Sequence, residues 1–267
     1  MRDHGGIFVF ERTESGTEQR VLLDFEFDAW GGKYPPWDLD DAVPEQMARI
    51  TRLPRYPIGI VLEAGAIDGD GAGTILTTES CLLNPNRGRI GVDRSREALE
   101  DLLAKEFGAS KVLWLGDGIE GDDTDGHVDD LTRFVGPGRV VTALEPDSRD
   151  GNHAVLEANR QRLLGMEDAT GRRLEVVELP MPQRIEGPDG RLPASYANFY
   201  FSNHALLVPT FGVDRDREAI SILESLVRDR PIIPIPSQNI VIGLGAVHCL
   251  TQQEPSLRQA ATQVVEG

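Results

Sequence analysis

Thr74-Ile75-Leu76-Thr77, then Ser95-Arg96-Glu97-Ala98-Leu99-Glu100-Asp101-Leu102-Leu103-Ala104-Lys105-Glu106-Phe107, then Lys111-Val112-Leu113-Trp114 read in order as a β-run, a helix and a second β-run. Ser95 is a good N-cap, and Leu99, Leu102, Leu103 and Phe107 repeat at helical spacing behind it. The pattern recurs. Helices are predicted to begin near Asp41 (Ala42, Met47, Ile50), Ser95, Asn152 (Val155, Leu156, Leu163) and Asp214 (Ile220, Leu223, Leu226), at intervals of 54, 57 and 62 residues. Further β-type runs lie at 7–10, 21–23, 58–61, 140–141, 174–177 and 205–208. Two or three strands per helix, with a period of about 55 to 60 residues, predict a repeated α/β module. A plain Rossmann sheet, with one strand per helix, fits this pattern less well.

The chain has 267 residues, with 44 acidic against 27 basic side chains and a net charge of −17. This length buries a substantial core unaided, and 40% hydrophobic with 27% charged residues excludes disordered and fibrous classes. The acid surplus (pI about 4.7) repels phosphate backbones and anionic lipid, so nucleic acid and membranes are not expected partners. A small cation is the favoured ligand. Cys81 and Cys249 match neither a secreted disulfide framework nor zinc spacing. The opening Met1-Arg2-Asp3-His4-Gly5-Gly6 lacks an apolar signal core, and no apolar stretch is long enough to span a bilayer. A cytoplasmic location is expected. Gly and Pro are spread evenly, so residues 1–267 are expected to form a single domain.

Gly69-Asp70-Gly71-Ala72-Gly73 precedes β-formers instead of a helix start, so it predicts a hairpin turn and not a phosphate loop. Gly121-Asp122-Asp123-Thr124-Asp125-Gly126-His127-Val128-Asp129-Asp130 fails as a calcium loop. With Gly126 at the required glycine, Gly121 and Thr132 fall where the first and last carboxylates belong. Two readings of this run stay open, a solvated acidic turn and half of a site in which carboxylates raise the pKa of His127. On extended backbone His127 and Asp129 would share a face. Cys249 ends Gly243-Leu244-Gly245-Ala246-Val247-His248-Cys249 and reads either as an inert core thiol or as a nucleophile reached through glycines. On an extended strand His248 would point away from it, leaving His127 as its proton partner. Glu63 follows an apolar strand, beside small residues that permit close backbone approach. Cys81 is expected to be a core thiol.

Several stretches together resemble the agmatine deiminases and bacterial-type peptidyl-arginine deiminases of the guanidine-modifying superfamily. They are Met1-Arg2-Asp3-His4-Gly5-Gly6; Phe27-Asp28-Ala29-Trp30-Gly31-Gly32-Lys33-Tyr34-Pro35-Pro36-Trp37; Leu62-Glu63-Ala64-Gly65-Ala66-Ile67-Asp68; Leu82-Leu83-Asn84-Pro85-Asn86-Arg87; Asp122-Asp123-Thr124-Asp125-Gly126-His127-Val128-Asp129; Tyr196-Ala197-Asn198-Phe199; and Gly245-Ala246-Val247-His248-Cys249-Leu250-Thr251-Gln252-Gln253. They run in family order along essentially the whole chain. The resemblance implies a pseudo-fivefold α/β propeller of repeated ββαβ modules around an acidic pocket. Here about four modules are expected, the chain being N-terminally truncated relative to the family, and Asp3 would be mobile if the chain begins at Met1. Gly6, Asp28 and Ala64 stand where the family usually has proline, asparagine and glycine, and Asp125 where agmatine-specific members often have asparagine.

By the same resemblance Cys249 is the nucleophile and His127 the general acid and base. Asp3 and Asp129 bind the guanidinium, Glu63 is an acidic residue paired with His127, and Asp123 and Trp30 complete substrate binding, Asp123 toward the ammonium of agmatine. The implied activity is hydrolysis of agmatine to N-carbamoylputrescine and ammonia through a covalent thiouronium, a step of putrescine and polyamine metabolism. No metal or organic cofactor is implied, and self-association into a homo-oligomer is left open. The alternatives are a deiminase of peptidyl or free arginine and an inactive paralogue that binds a guanidinium or polyamine. A metal-dependent hydrolase is less favoured, because no second histidine lies at ligand spacing from His127.

Overall fold

The computed structural model describes residues 1–88 and 91–256. Four three-stranded sheets follow one another along the chain. The first joins β1 (Ile7–Arg12), β2 (Glu18–Glu26) and β3 (Arg55–Val61), and the second β4 (Asp68–Gly69), β5 (Thr74–Thr78) and β6 (Lys111–Leu115). The third joins β7 (Thr132–Gly136), β8 (Arg139–Leu144) and β9 (Glu175–Pro180). After a two-stranded hairpin of β10 (Glu186–Gly187) and β11 (Gly190–Arg191) comes the fourth, with β12 (Tyr200–Phe201), β13 (Leu206–Thr210) and β14 (Ile232–Pro236). In each three-stranded sheet the first pair is antiparallel and the second parallel. A parallel pair needs a crossover, supplied in turn by the helices Val43–Thr51, Arg96–Phe107, His153–Leu164 and Arg215–Leu226.

The expected helices are therefore present, but their caps differ. Only Ser95 caps with its own side chain, accepting the N–H of Ala98 at 3.3 Å. Asp41 ends a separate turn, Asp38–Asp41, and accepts from the Phe27 N–H. Asn152 accepts from the Glu120 N–H, and Asp214 makes no capping bond. The helices are held mainly by their apolar faces. Leu99 and Leu103 pack with Ile75, Leu82 and Trp114; Leu163 packs with Leu76, Leu113 and Val140; Ala219 and Leu223 pack with Leu206 and Val208. Each fully buried leucine contributes about 1.5–3 kcal/mol relative to exposure.

The hairpin predicted at 69–73 joins β4 to β5, with Asp70 Oδ1 accepting the N–H groups of Ala72 and Thr74. Strands β4, β7, β12 and β14 carry no β-run in the sequence reading. Two of them have only two residues. β14 holds Pro234 and Pro236, which an edge strand tolerates. Among the described residues no helix is long and apolar enough to cross a membrane.

Ser95→Ala should cost about 1 kcal/mol, lowering Tm by roughly 2–4 °C in a chain of this size. Asp214→Ala, which removes no capping bond, should shift it less in the same calorimeter.

Candidate active site

The segments joining one sheet to the next converge. Asp3 lies in the turn before β1, Glu63 between β3 and β4, His127, Asp129 and Asp130 between β6 and β7, Asn198 just before β12, and Cys249 after β14. Each is held by local bonding. Asp3 accepts the Gly65 N–H at 3.1 Å and the Trp30 indole N–H at 3.2 Å, so both its oxygens are fixed. Arg2 anchors the same turn: its backbone N–H donates to the Cys249 carbonyl at 3.2 Å and its Nε to the His248 carbonyl at 3.3 Å.

The acidic run at 121–130 winds around its own carboxylate. Asp122 accepts the N–H groups of Thr124, Gly126 and His127 at 2.8, 3.1 and 3.2 Å. Arg87, 1% exposed, locks this loop by donating to Glu63 Oε1 at 2.6 Å, to the Thr124 carbonyl at 2.6 Å and to Asp125. Gly65 admits the approach of His127 and Asp3. A Cβ there would lie 2.6 Å from His127 Nδ1 and 2.7 Å from Asp3 Oδ1.

Around the sulfur, Asn198 acts as a clamp. Its Nδ2 donates to Cys249 Sγ at 3.0 Å and to Asp130 Oδ1 at 2.9 Å, while its Oδ1 accepts the N–H groups of His248 at 2.9 Å and Cys249 at 3.3 Å. The Cys249 thiol donates to Asp129 Oδ2 at 3.6 Å. A Cβ at position 245 would fall 3.2 Å from Sγ, so Gly245 leaves the thiol its room. Among the described residues Asp129 Oδ1 is buried without a hydrogen-bond partner, and neither ring nitrogen of His127 makes a hydrogen bond, although Nδ1 pairs with Asp3 Oδ1 at 3.7 Å.

The electrostatics follow from burial. Burial first, then Asp129, Asp130 and Asp3, push the Cys249 thiol well above its usual value. Asp129 is pushed up to about 6, chiefly by burial, and burial with the Asp129 charge drives Asp130 well above the usual carboxylate range. Burial works against a charged His127, but Asp3, Cys81 and Glu63 outweigh it, and the imidazole is raised well above its ordinary range. His248 moves the opposite way, through burial and then Arg133, Arg2 and His127. At neutral pH the centre holds a protonated His127, a neutral His248 and a thiol.

Several expectations need correction. Val128–Asp130 is a 3-10 turn, so His127 and Asp129 do not alternate along extended backbone. Cys249 sits in a helical turn, Val247–Leu250, because Asn198 gathers the N–H groups of residues 248 and 249. His248 accordingly reaches Asp129, with Nδ1 2.6 Å from Oδ2. Glu63 lies within 4.8 Å of His127 and favours its charged form, and it also makes an ion pair with Arg87. Cys81 is buried as expected, yet it too comes within 4.8 Å of His127 and Glu63. Asp123 is held by the Tyr34 hydroxyl, which donates to its carboxylate, and by Lys33, which donates to its carbonyl. Asn198, Asp130, His248, Arg87 and Arg2 received no role from the sequence. Arg2, Arg87, Asn198 and His248 do lie in the stretches that carry the family resemblance.

Among the described residues two clusters have ligand atoms close enough for a metal, Glu63 with Cys81 and His127, and Asp129 with Asp130 and Cys249. Neither suits one. Arg87 places a permanent cation on Glu63 with Nη2 3.9 Å from Cys81 Sγ, and Asn198 already donates to both Asp130 and Cys249.

Fold and site together define an α/β protein with a closed thiol, histidine and carboxylate centre. The chain belongs to the Porphyromonas-type peptidyl-arginine deiminase family, whose model matches residues 1–255. It is 37% identical to the agmatine deiminase of Stutzerimonas stutzeri over 279 residues, covering 96% of this chain and 74% of that one. Its structure resembles an agmatine deiminase of Enterococcus faecalis, with TM-score 0.88 and 36% identity over 95% of this chain and 74% of the other. An agmatine deiminase of C. jejuni with substrate bound gives TM-score 0.83 and 31% identity over 92% and 70%.

The Asp129 carboxyl titrates higher in the folded chain than in the unfolded one. It therefore opposes folding increasingly as pH rises from the ordinary carboxylate range to about 6, and fully above that. Asp129→Asn should abolish activity yet stabilise the chain at pH 8 by on the order of 1–3 kcal/mol. Thermal melts across pH should show the gain shrinking below about pH 6.

Proposed function

We propose that this chain is an agmatine deiminase, hydrolysing agmatine to N-carbamoylputrescine and ammonia. The observation that carries this reading is the buried Asp129 Oδ1, which has no hydrogen-bond partner, on the carboxylate that neighbours Cys249, within a field of carboxylates that also surrounds His127. A guanidinium is planar, cationic and rich in paired N–H donors. Asp129 and Asp3 can take those donors and aim the central carbon at Sγ.

The substrate cation offsets the carboxylates that hold Cys249 protonated, and the thiol proton passes toward Asp129 Oδ2, its neighbour at 3.6 Å. Sulfur attacks the guanidinium carbon. His127, charged because of its surroundings, protonates the departing nitrogen, and ammonia leaves a thiouronium on Cys249. His127, now neutral, takes a proton from water as that water attacks the same carbon. The carbon–sulfur bond then breaks to release the ureido product, the departing sulfur takes back its proton from Asp129, and the remaining proton of the added water leaves with the released ammonia as ammonium. His248 holds Asp129 in place, Trp30 holds Asp3, and Glu63 with Arg87 fixes the loop bearing His127. We place Asp123 at the distal end, where it meets the agmatine ammonium.

We also read the four like-connected sheets as successive ββαβ modules of an α/β propeller whose inter-module segments supply the site. The −17 balance fits a cytoplasmic enzyme of small cations that does not bind nucleic acid.

A panel of agmatine, free arginine and arginine peptides, read by ureido colorimetry, tests the reading. Agmatine alone should turn over, activity should survive chelation, and Cys249→Ala should lower kcat by about 10³-fold or more. Turnover restricted to peptides would reassign the substrate, and agmatine binding without product would make the chain a binding protein.

A further inference from the structure

Arg133, on β7, is 5% exposed and spends its hydrogen bonds on the segment that carries Asn198. Its Nη1 donates to the Phe199 carbonyl at 2.9 Å and to the Ala197 carbonyl at 3.3 Å, so the residues on either side of Asn198 hang from one guanidinium. The same group lies over the Phe199 ring, 4.9 Å from its centre. Asp68, on β4, fixes the guanidinium in turn: Oδ1 accepts from Nε at 2.9 Å, and Oδ2 accepts the Phe134 N–H at 2.7 Å. A second tie comes from the turn just before β7. Ser195 Oγ donates to the Asp130 carbonyl at 2.8 Å and accepts the Ala197 N–H at 3.1 Å. Residues 195–199 are therefore suspended from residues 130–133.

The suspended residue is the one that clamps the nucleophile. Asn198 reaches Cys249 Sγ, Asp130 and the N–H groups of residues 248 and 249 with one amide, and its own carbonyl accepts the His248 N–H at 3.0 Å. One amide satisfies so many partners only from one backbone position, and a displacement of about 1 Å at a reacting group costs up to roughly 100-fold in rate. Arginine suits this task. Its planar fork meets two carbonyls, a carboxylate and a ring face at once, which the single ammonium of a lysine cannot span. Buried ion pairs add little net stability, and their best use is to fix one geometry.

We propose that Arg133 is a positioning residue for the nucleophile: anchored by Asp68, it fixes the backbone on both sides of Asn198 and through that amide sets where Cys249 Sγ stands. This rests on the reading of Cys249 as the nucleophile. Arg133 acts through Asn198 alone, and the carboxylates that face the sulfur, Asp129, Asp130 and Asp3, keep their charge whether or not the fork is in place.

The test is the rate constant for alkylation of Cys249 in the full chain by the cation chloroacetamidine, followed by mass spectrometry and read without turnover. Arg133→Lys keeps the charge and loses the fork, and the rate constant should fall about tenfold. Asn198→Ala should lower it at least as far. Adding Arg133→Lys to Asn198→Ala should then change it by less than about twofold, because the amide through which Arg133 acts is gone. A merely stabilising contact would lower Tm and leave the rate constant of the folded molecules unchanged, or raise it by exposing the thiol. Should Arg133→Lys fail to fold, Asp68→Asn, which leaves Arg133 without its carboxylate, should lower the rate constant about threefold or more, and not in the Asn198→Ala background. An unchanged or faster rate for Arg133→Lys or Asp68→Asn, or losses that multiply in the double variants, would overturn the proposal. The predicted pattern in a chain that forms no ureido product from agmatine would sustain it and count against the assigned activity alone.

Discussion

Negative charge is crowded around one sulfur and offset inside the same shell by the His127 imidazolium, and the surrounding structure is arranged to keep it there. Asp129 and Asp130 are buried, and Asp3 has both oxygens occupied beside them. The arginines that answer this charge stand behind it. Arg87 pairs with Glu63, Arg133 with Asp68, and Arg2 bonds to backbone and amide oxygens. The result is a raised thiol, raised aspartates and a charged His127 in the free protein. Such a centre opposes folding on its own account and is relieved by a bound cation, which is how a site spends stability on selectivity.

The fold makes this arrangement attainable by repetition. Each sheet ends in a segment that leads to the next, and these segments contribute Glu63, His127 with Asp129 and Asp130, Asn198 and Cys249 in turn. No segment carries the whole site. Asn198 bonds to Asp130, His248 and Cys249 and so ties the segment after β14 to two others. Loss of that one amide would release the nucleophile turn while leaving each sheet intact.

Helix positions were legible because Leu99, Leu103, Leu156 and Leu223 repeat at helical spacing and are buried as that spacing requires. The caps were less legible: Asn152 has the right chemistry but uses its oxygen on Glu120 instead. Cys249, His127, Asp129, Asp3 and Glu63 could be picked out by motif resemblance, and the structure brings them into one neighbourhood. The role of His248 was hidden because the sequence reading assumed a strand, where neighbours diverge; the Asn198 bonds that turn residues 247–250 into a helix come from 50 residues away. Cys81 and Arg87 were hidden for the same reason. Their neighbours in space, His127, Glu63 and Thr124, are distant in the chain.

The central claim is that Cys249 is held unreactive by carboxylates until a cation arrives. It is tested most directly by alkylating the free protein with chloroacetamidine, a cation, and with its near-isosteric neutral relative chloroacetamide, each rate normalised to that of free glutathione. The account predicts that the cation modifies Cys249 faster by about 100-fold or more, and that Asp129→Asn removes most of the advantage. Equal normalised rates for the two reagents would contradict it.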